Sequence, residues 1–286
     1  MAIRNVTIIY NPNSTGPGQT TAEKFAERLE RAGIKANLKA TKHAGHAYEI
    51  AKQVANNSSS AMIISSSGDG GYNEVVNGIL DSTNPTVVTG VLPSGNANDH
   101  YRALHRGNTV MRIKSGDVER IDVLKMTYGH RHRYAHSYIG LGLTSQIGEV
   151  LTRATLNPII ECWLVLTHLF RVRPIKIRHE GRIERYDHLV FGSIDRMSKY
   201  LQLSTSSKFH DGKFEVVGIK QGSFVALLRH LLKSASGRNR ASARVATFSF
   251  QTLRPVKIQL DGEVIQLPES TQVRIDSEHQ LLSTIV

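Results

Sequence analysis

The sequence predicts an α/β chain in two parts. An N-terminal parallel-sheet domain spans residues 1–107 and a β-rich, sandwich-like domain spans residues 108–286. Two observations carry this. Strand-like and helix-like apolar patterns alternate through the first ~100 residues, as in a parallel sheet covered by helices. After residue 108 the strand patterns dominate and helical ones only interrupt them.

Residues 6–10 are a short apolar run that ends in the turn Asn11-Pro12-Asn13-Ser14-Thr15-Gly16-Pro17-Gly18. Residues 20–32 place Phe25, Leu29 and Ala32 on one helical face, and Gly33 stops the helix. A second strand is expected at 34–40 and a second helix at 46–56. The run 61–65 reads as a buried third strand, followed by a helix at 72–80 with Val75, Val76, Ile79 and Leu80 as its apolar positions. A fourth strand at 86–92 is broken by Pro93-Ser94-Gly95, and residues 96–104 start another helix. Three Gly- or Pro-rich turns, at 11–18, 67–71 and 93–96, thus fall at strand carboxyl ends, where sheets of this kind bind ligands. They are expected to face one site.

In the second part, strands are expected at 120–128, 133–142, 173–179, 188–194, 201–205, 214–220, 245–251, 256–260, 272–275 and 281–286. Helical patterns occur at 145–155, 158–170 and 224–234. No internal repeat is evident.

Lys and Arg outnumber Asp and Glu by 36 to 24, a formal charge of +12. Such a surface favours anionic partners: phospholipid headgroups, nucleotides or nucleic acid. Nucleic acid is not expected, because no recognisable binding module accompanies the charge. Two basic stretches, 171–185 and 229–244, suit an anionic membrane surface or are simply solvated faces. Cys162 is the only cysteine, which excludes an internal disulfide and a Cys-based zinc site and fits a reducing compartment. Residues 1–5 do not read as a cleavable leader. The most apolar stretch, 158–170, contains Glu161 and His168 and is too short to span a bilayer. A cytoplasmic, peripherally membrane-associated protein is expected.

The run Ser67-Gly68-Asp69-Gly70-Gly71 joins a buried strand to a helix N-terminus. Backbone N–H groups and the positive end of the helix dipole there suit a phosphate. A tight strand-to-helix connection favours Gly and Asp on its own account as well. The run is not a Walker A loop, since no Lys-Ser or Lys-Thr follows, and Asn73 stands where a dinucleotide fingerprint needs its third Gly. Asp69 near phosphates would be useful only with a metal ion.

From residue 67 to 78 the chain resembles the G-G-D-G-T-x-N-E-V-x-N-G segment of the diacylglycerol kinase catalytic family, which includes YegS-like and sphingosine kinase-like lipid kinases. Asn11-Pro12-Asn13-Ser14-Thr15-Gly16 is similar to that family's N-P-x-S-G loop. Thr41 with Gly45-His46-Ala47-Tyr48-Glu49 resembles its T-x-x-x-G-H-A-x-E segment. Leu92-Pro93-Ser94-Gly95-Asn96-Ala97-Asn98-Asp99 resembles L-P-x-G-T-x-N-D. Asp211-Gly212-Lys213-Phe214-Glu215-Val216 resembles D-G-x-L-D-V, and Asp261-Gly262-Glu263 the late D-G-E. Order and rough spacing agree over residues 6–268.

The resemblance implies an ATP- and Mg²⁺-dependent lipid kinase that phosphorylates a hydroxyl such as that of diacylglycerol. It implies that Asn11, Ser14, Gly16, Thr41, Gly68, Asp69, Gly70, Asn73 and Glu74 line the ATP site, with Ser67, Gly71 and Asn96 at positions where the pattern has Gly, Thr and Thr. It places Mg²⁺ at Asp211, with the backbone oxygens of Lys208 and Lys213 as companions, and makes Glu263 the general base with Asp261 second. His210 stands where a second acid often precedes Asp211, and His136 or Ser137 where an Asn is expected. Asp261-Gly262 by itself reads equally as a hairpin turn. A homodimer is an option. The alternatives are an NAD kinase-like enzyme with a soluble acceptor, or a catalytically weak nucleotide- or lipid-binding homologue, the latter motivated by Ser67, Gly71 and Asn96.

Overall fold

The computed structural model describes residues 3–14, 16–57, 62–105, 107–143, 173–197, 201–202, 208–222 and 243–285. The helical patterns expected at 145–155, 158–170 and 224–234, Cys162 and most of the 229–244 basic stretch lie outside the described residues.

The element order is β1 (Asn5–Tyr10), α1 (Gly18–Arg31), β2 (Lys35–Ala40), α2 (His46–Asn57), β3 (Met62–Ser67), α3 (Asp69–Leu80), β4 (Val88–Pro93), α4 (Asp99–Leu104) and α5 (Thr109–Ser115). Strands follow: β5 (Glu119–Tyr128), β6 (Arg131–Ala135), β7 (Tyr138–Gly142), β8 (Ile175–His179), β9 (Arg182–Gly192), β10 (Arg196–Met197), β11 (Leu201–Gln202), β12 (Phe214–Lys220), β13 (Ala243–Val245), β14 (Thr247–Thr252), β15 (Val256–Leu260), β16 (Glu263–Leu267) and β17 (Gln272–Thr284). The chain divides into two compact units: residues 1–123 with 279–286, and residues 124–278. Residues 108–123, with α5, thus stay with the first unit.

In the first unit β1 pairs in parallel with β2 and β3, and β3 with β4. Strand β17 returns here, where its Thr284 pairs with Thr89 of β4. Every residue of β3 is buried, as expected for a strand covered on both faces. One face packs Val6, Ile8, Met62 and Ile64 against Phe25 and Leu29 of α1 and Val110 and Ile113 of α5. The other packs Ile9 and Ile63 against Ile50 of α2 and Val75 and Ile79 of α3. The β-α alternation puts α1 and α2 on opposite faces, so the parallel strands are buried between two helix layers.

The second unit is β-rich and antiparallel, with strand order β16-β15-β7-β9-β8-β14-β17 and with β12 beside β9. Its core is built on Leu124, Ile139, Leu141, Phe191, Phe214, Phe250, Ile258 and Ile275. Two local patterns differ from expectation. The single strand expected at 133–142 is two strands, broken at His136-Ser137 because a buried carboxylate takes the backbone N–H groups there. The two strands expected at 272–275 and 281–286 are one, in which Gln280 takes a positive φ of 49°. Asp122 explains that kink: its buried carboxylate accepts from Gln280 N (2.7 Å) and His279 Nδ1 (3.0 Å). Among the described residues no helix is long and apolar enough to cross a membrane.

Candidate functional site

The three glycine-bearing turns of the first unit meet backbone to backbone. A Cβ on Gly16 would lie 2.0 Å from the carbonyl oxygen of Ser94, and one on Gly95 would lie 2.3 Å from Cα of Gly68. No residue with a side chain fits at these crossings, so the sequence must have Gly there. Hydroxyls bind the turns together. Ser66 Oγ donates to Gly18 O (2.7 Å) and lies 3.1 Å from Ser94 Oγ, while Ser94 N donates to Ser67 O (3.1 Å). The 11–18, 67–71 and 93–96 turns therefore form one cradle at the carboxyl ends of β1, β3 and β4.

Helices α1 and α3 both start at this cradle. Their N-cap residues, Pro17 and Gly68, bring no side-chain cap. The first turn of a helix leaves N–H groups without intrahelical partners and carries the positive end of the dipole. Glycine at 68, 70 and 71 keeps that end open to close approach. This is chemistry suited to the oxygens of a phosphate chain.

Each expected residue has a definite place. Asn11 folds its Oδ1 onto Asn13 N (2.9 Å), and Ser14 Oγ donates to Gly16 O (2.9 Å), so both shape the first turn. Thr41 follows β2 and its N–H donates to Tyr10 O (2.8 Å). Asp69 accepts from His100 N (3.2 Å) at the start of α4. Asn73 is buried and takes the amide of Asn77 on its Oδ1 (3.0 Å) and carbonyl (2.9 Å). Glu74 reaches the start of α2, where its carboxylate accepts from Gly45 N (3.1 Å) and Ala47 N (3.2 Å). Asn96 is exposed. Sequence reasoning did not single out Gly95, Ser66 or Ser94. Their signal was the Pro-Ser-Gly break itself, which marks a turn without saying what crosses it.

In the second unit, Asp261 and Gly262 form a two-residue hairpin loop between β15 and β16, with φ of 46° and 99° and Leu260 opposite Glu263. Asp261 is fully buried. Its carboxylate accepts from His136 N (2.6 Å), Ser137 N (3.1 Å) and Tyr138 N (2.8 Å), and lies 3.4 Å from His136 Nε2. His136 Nδ1 in turn lies 2.8 Å from Ser137 Oγ. The three residues are ordered acid, imidazole, hydroxyl, but none has any exposure, so the chain is an internal brace. Glu263, next to it, is exposed at the start of β16.

Asp211 sits in the turn before β12 with Lys208 and Lys213 beside it. Its Oδ1 accepts from Lys213 N (3.2 Å) and its Oδ2 pairs with the Arg244 guanidinium. Burial alone pushes the imidazole of His188, on β9, down to about 4. The Tyr186 phenol is raised by burial and by its bond to Glu184 (2.8 Å).

The chain is similar to known proteins in sequence and in fold. Residues 5–126 match the family described as the diacylglycerol kinase catalytic domain. A diacylglycerol kinase of Staphylococcus aureus (strain bovine RF122 / ET3-1) is 29% identical over 282 residues, covering 91% of this chain and 86% of that protein. One from Staphylococcus saprophyticus subsp. saprophyticus is 28% identical over 282 residues, covering 91% and 89%. The crystal structure of a diacylglycerol kinase from Bacillus anthracis str. Sterne has the same fold, with a TM-score of 0.74 at 19% identity over 100% of this chain and 97% of that one. Residues 5–126, which hold the cradle and the helices that start from it, are thus the part of the chain that is similar to the diacylglycerol kinase catalytic domain.

Proposed function

We propose that the protein is a lipid kinase that transfers the γ-phosphoryl group of magnesium-bound ATP to the hydroxyl of a lipid such as diacylglycerol. The observation that carries this reading is the cradle of three glycine turns at the N-termini of α1 and α3. Phosphoryl transfer asks a protein mainly to position groups and neutralise charge. The N–H groups of residues 69–71, at the start of α3, would hold phosphate oxygens, with the 11–18 turn closing over them. Glu74 and Asp69 act one step back, by fixing the starts of α2 and α4 around the cradle.

Glu263 is the base in this reading. It would take the proton of the acceptor hydroxyl while that oxygen attacks the γ-phosphorus and ADP leaves. Its exposure allows a substrate to reach it, whereas Asp261 is enclosed. The magnesium comes with ATP as part of the substrate. The basic side chains of the 173–185 hairpin fit recruitment to an anionic bilayer, where each contributes ~1 kcal/mol.

Incubation of the purified protein with labelled ATP, Mg²⁺ and a panel of lipids and NAD tests the proposal. Label in a lipid supports it, and Glu263→Gln should then remove turnover while ATP binding persists. Label in NAD alone would replace the acceptor. Nucleotide binding without transfer to any acceptor would point to the catalytically weak homologue.

A further inference from the structure

We infer that Arg244 holds the cation position at Asp211, so that this turn binds no divalent metal. Arg244 lies on β13 directly opposite Glu215 on β12. From there its guanidinium pairs with Asp211 Oδ2, and its Nε lies 3.6 Å from Glu215 Oε1. Glu215 is 1% exposed, Asp211 26% and Arg244 31%. One planar cation thus bridges a buried carboxylate on the strand and a half-buried one on the preceding turn. A divalent ion here would do the same job: neutralise the acids and tie the turn to the sheet.

The donor set argues against adding such an ion. Mg²⁺ needs carboxylate oxygens at ~2.0–2.1 Å in a near-octahedral shell. Both oxygens of Asp211 already face donors, Lys213 N on one and Arg244 on the other. The neighbours at 208, 210 and 213 are Lys, His and Lys, so the turn supplies no second acid. An incoming dication would meet the guanidinium at close range. Arg can fill the role because its five N–H groups form a fixed fork that serves two carboxylates at once and never loses its charge.

Melting of the nucleotide-free protein in EDTA and in millimolar Mg²⁺ tests this without reference to kinase activity. The wild type should melt at the same temperature in both. Arg244→Gln should melt lower in EDTA and regain roughly 5 °C at saturating Mg²⁺. Adding Asp211→Asn to that variant should remove the gain. A Mg²⁺-dependent rise of that size in the wild type, abolished by Asp211→Asn, would overturn the inference. So would an Arg244→Gln protein with unchanged melting in EDTA. Should Arg244→Gln fail to fold, Mn²⁺ titration of the wild type by electron paramagnetic resonance decides the matter: no bound ion supports the inference, and an ion lost in Asp211→Asn refutes it.

Discussion

The side chain of Ser67 and any side chain at residue 71 exclude one another: a Cβ on Gly71 would lie 2.7 Å from Ser67 Cβ and 2.8 Å from Ser67 Oγ. Ser67 closes β3 and Gly71 lies one helical turn later in α3, so a side chain at 71 leans back onto 67. The Ser67 hydroxyl lies 2.6 Å from Ser65 Oγ and 3.0 Å from Gly68 O, over the first turn of the helix. Gly at 71 therefore leaves the room that the Ser67 side chain takes. Gly71→Thr alone should cost about 1–3 kcal/mol through overpacking and raise the KM for ATP. Ser67→Gly with Gly71→Thr should recover most of both. Additive losses across the double-mutant cycle would break the coupling.

Gly16→Ala should weaken nucleotide binding at least about tenfold, a loss near 1.4 kcal/mol. Its Cβ would meet a backbone carbonyl at 2.0 Å, which cannot rotate away as a side chain could. Calorimetric titration with ATP measures this. Unchanged affinity in the Gly16→Ala variant would mean that the cradle does not hold phosphate.

Asp261→Ala should lower stability by about 3–5 kcal/mol, because three buried N–H groups at 136–138 lose a charged acceptor. Glu263→Gln, two residues away and exposed, should stay within about 0.5 kcal/mol of wild type. Urea denaturation compares them, and equal effects would contradict the assignment of Asp261 as a brace.

His188 makes the fold sensitive to acid. Its folded value is about 4 against an ordinary 6.5, so between these pH values the unfolded chain takes a proton that the folded chain refuses. Its contribution is complete above pH 6.5, declines as pH falls, and levels off below about 4, for a loss on the order of 3 kcal/mol. His188→Gln should flatten this part of the stability profile, measured by denaturation between pH 7 and 4.

The alternation of strands and helices through residue 104 was readable because burial on two faces imposes continuous apolar runs on strands and a 3.6 period on helices. The convergence of the three turns was readable for a related reason, since strand carboxyl ends share one edge of a parallel sheet. Long-range polar pairings were not readable. Glu74 belongs to a motif, but its partners lie 27 and 29 residues upstream as backbone N–H groups, which no sequence pattern marks. The break at His136-Ser137 is made by a carboxylate 123–125 residues later, so apolar alternation across 133–142 reads as one strand. Arg244 was visible only as part of a basic stretch, because its register against Glu215 is set by strand pairing.

The return of β17 to β4 has a consequence for how the protein is made. Ile285 is buried in the same cluster as Val6, Ile8 and Phe25, and Thr284 bonds to Thr89 O (3.1 Å). A ribosome that has released residues 1–123 has therefore not released everything the first unit needs. That unit waits, with one edge of β4 unsealed, until residues 279–285 have left the exit tunnel, so its folding is completed only after the whole second unit has been synthesised.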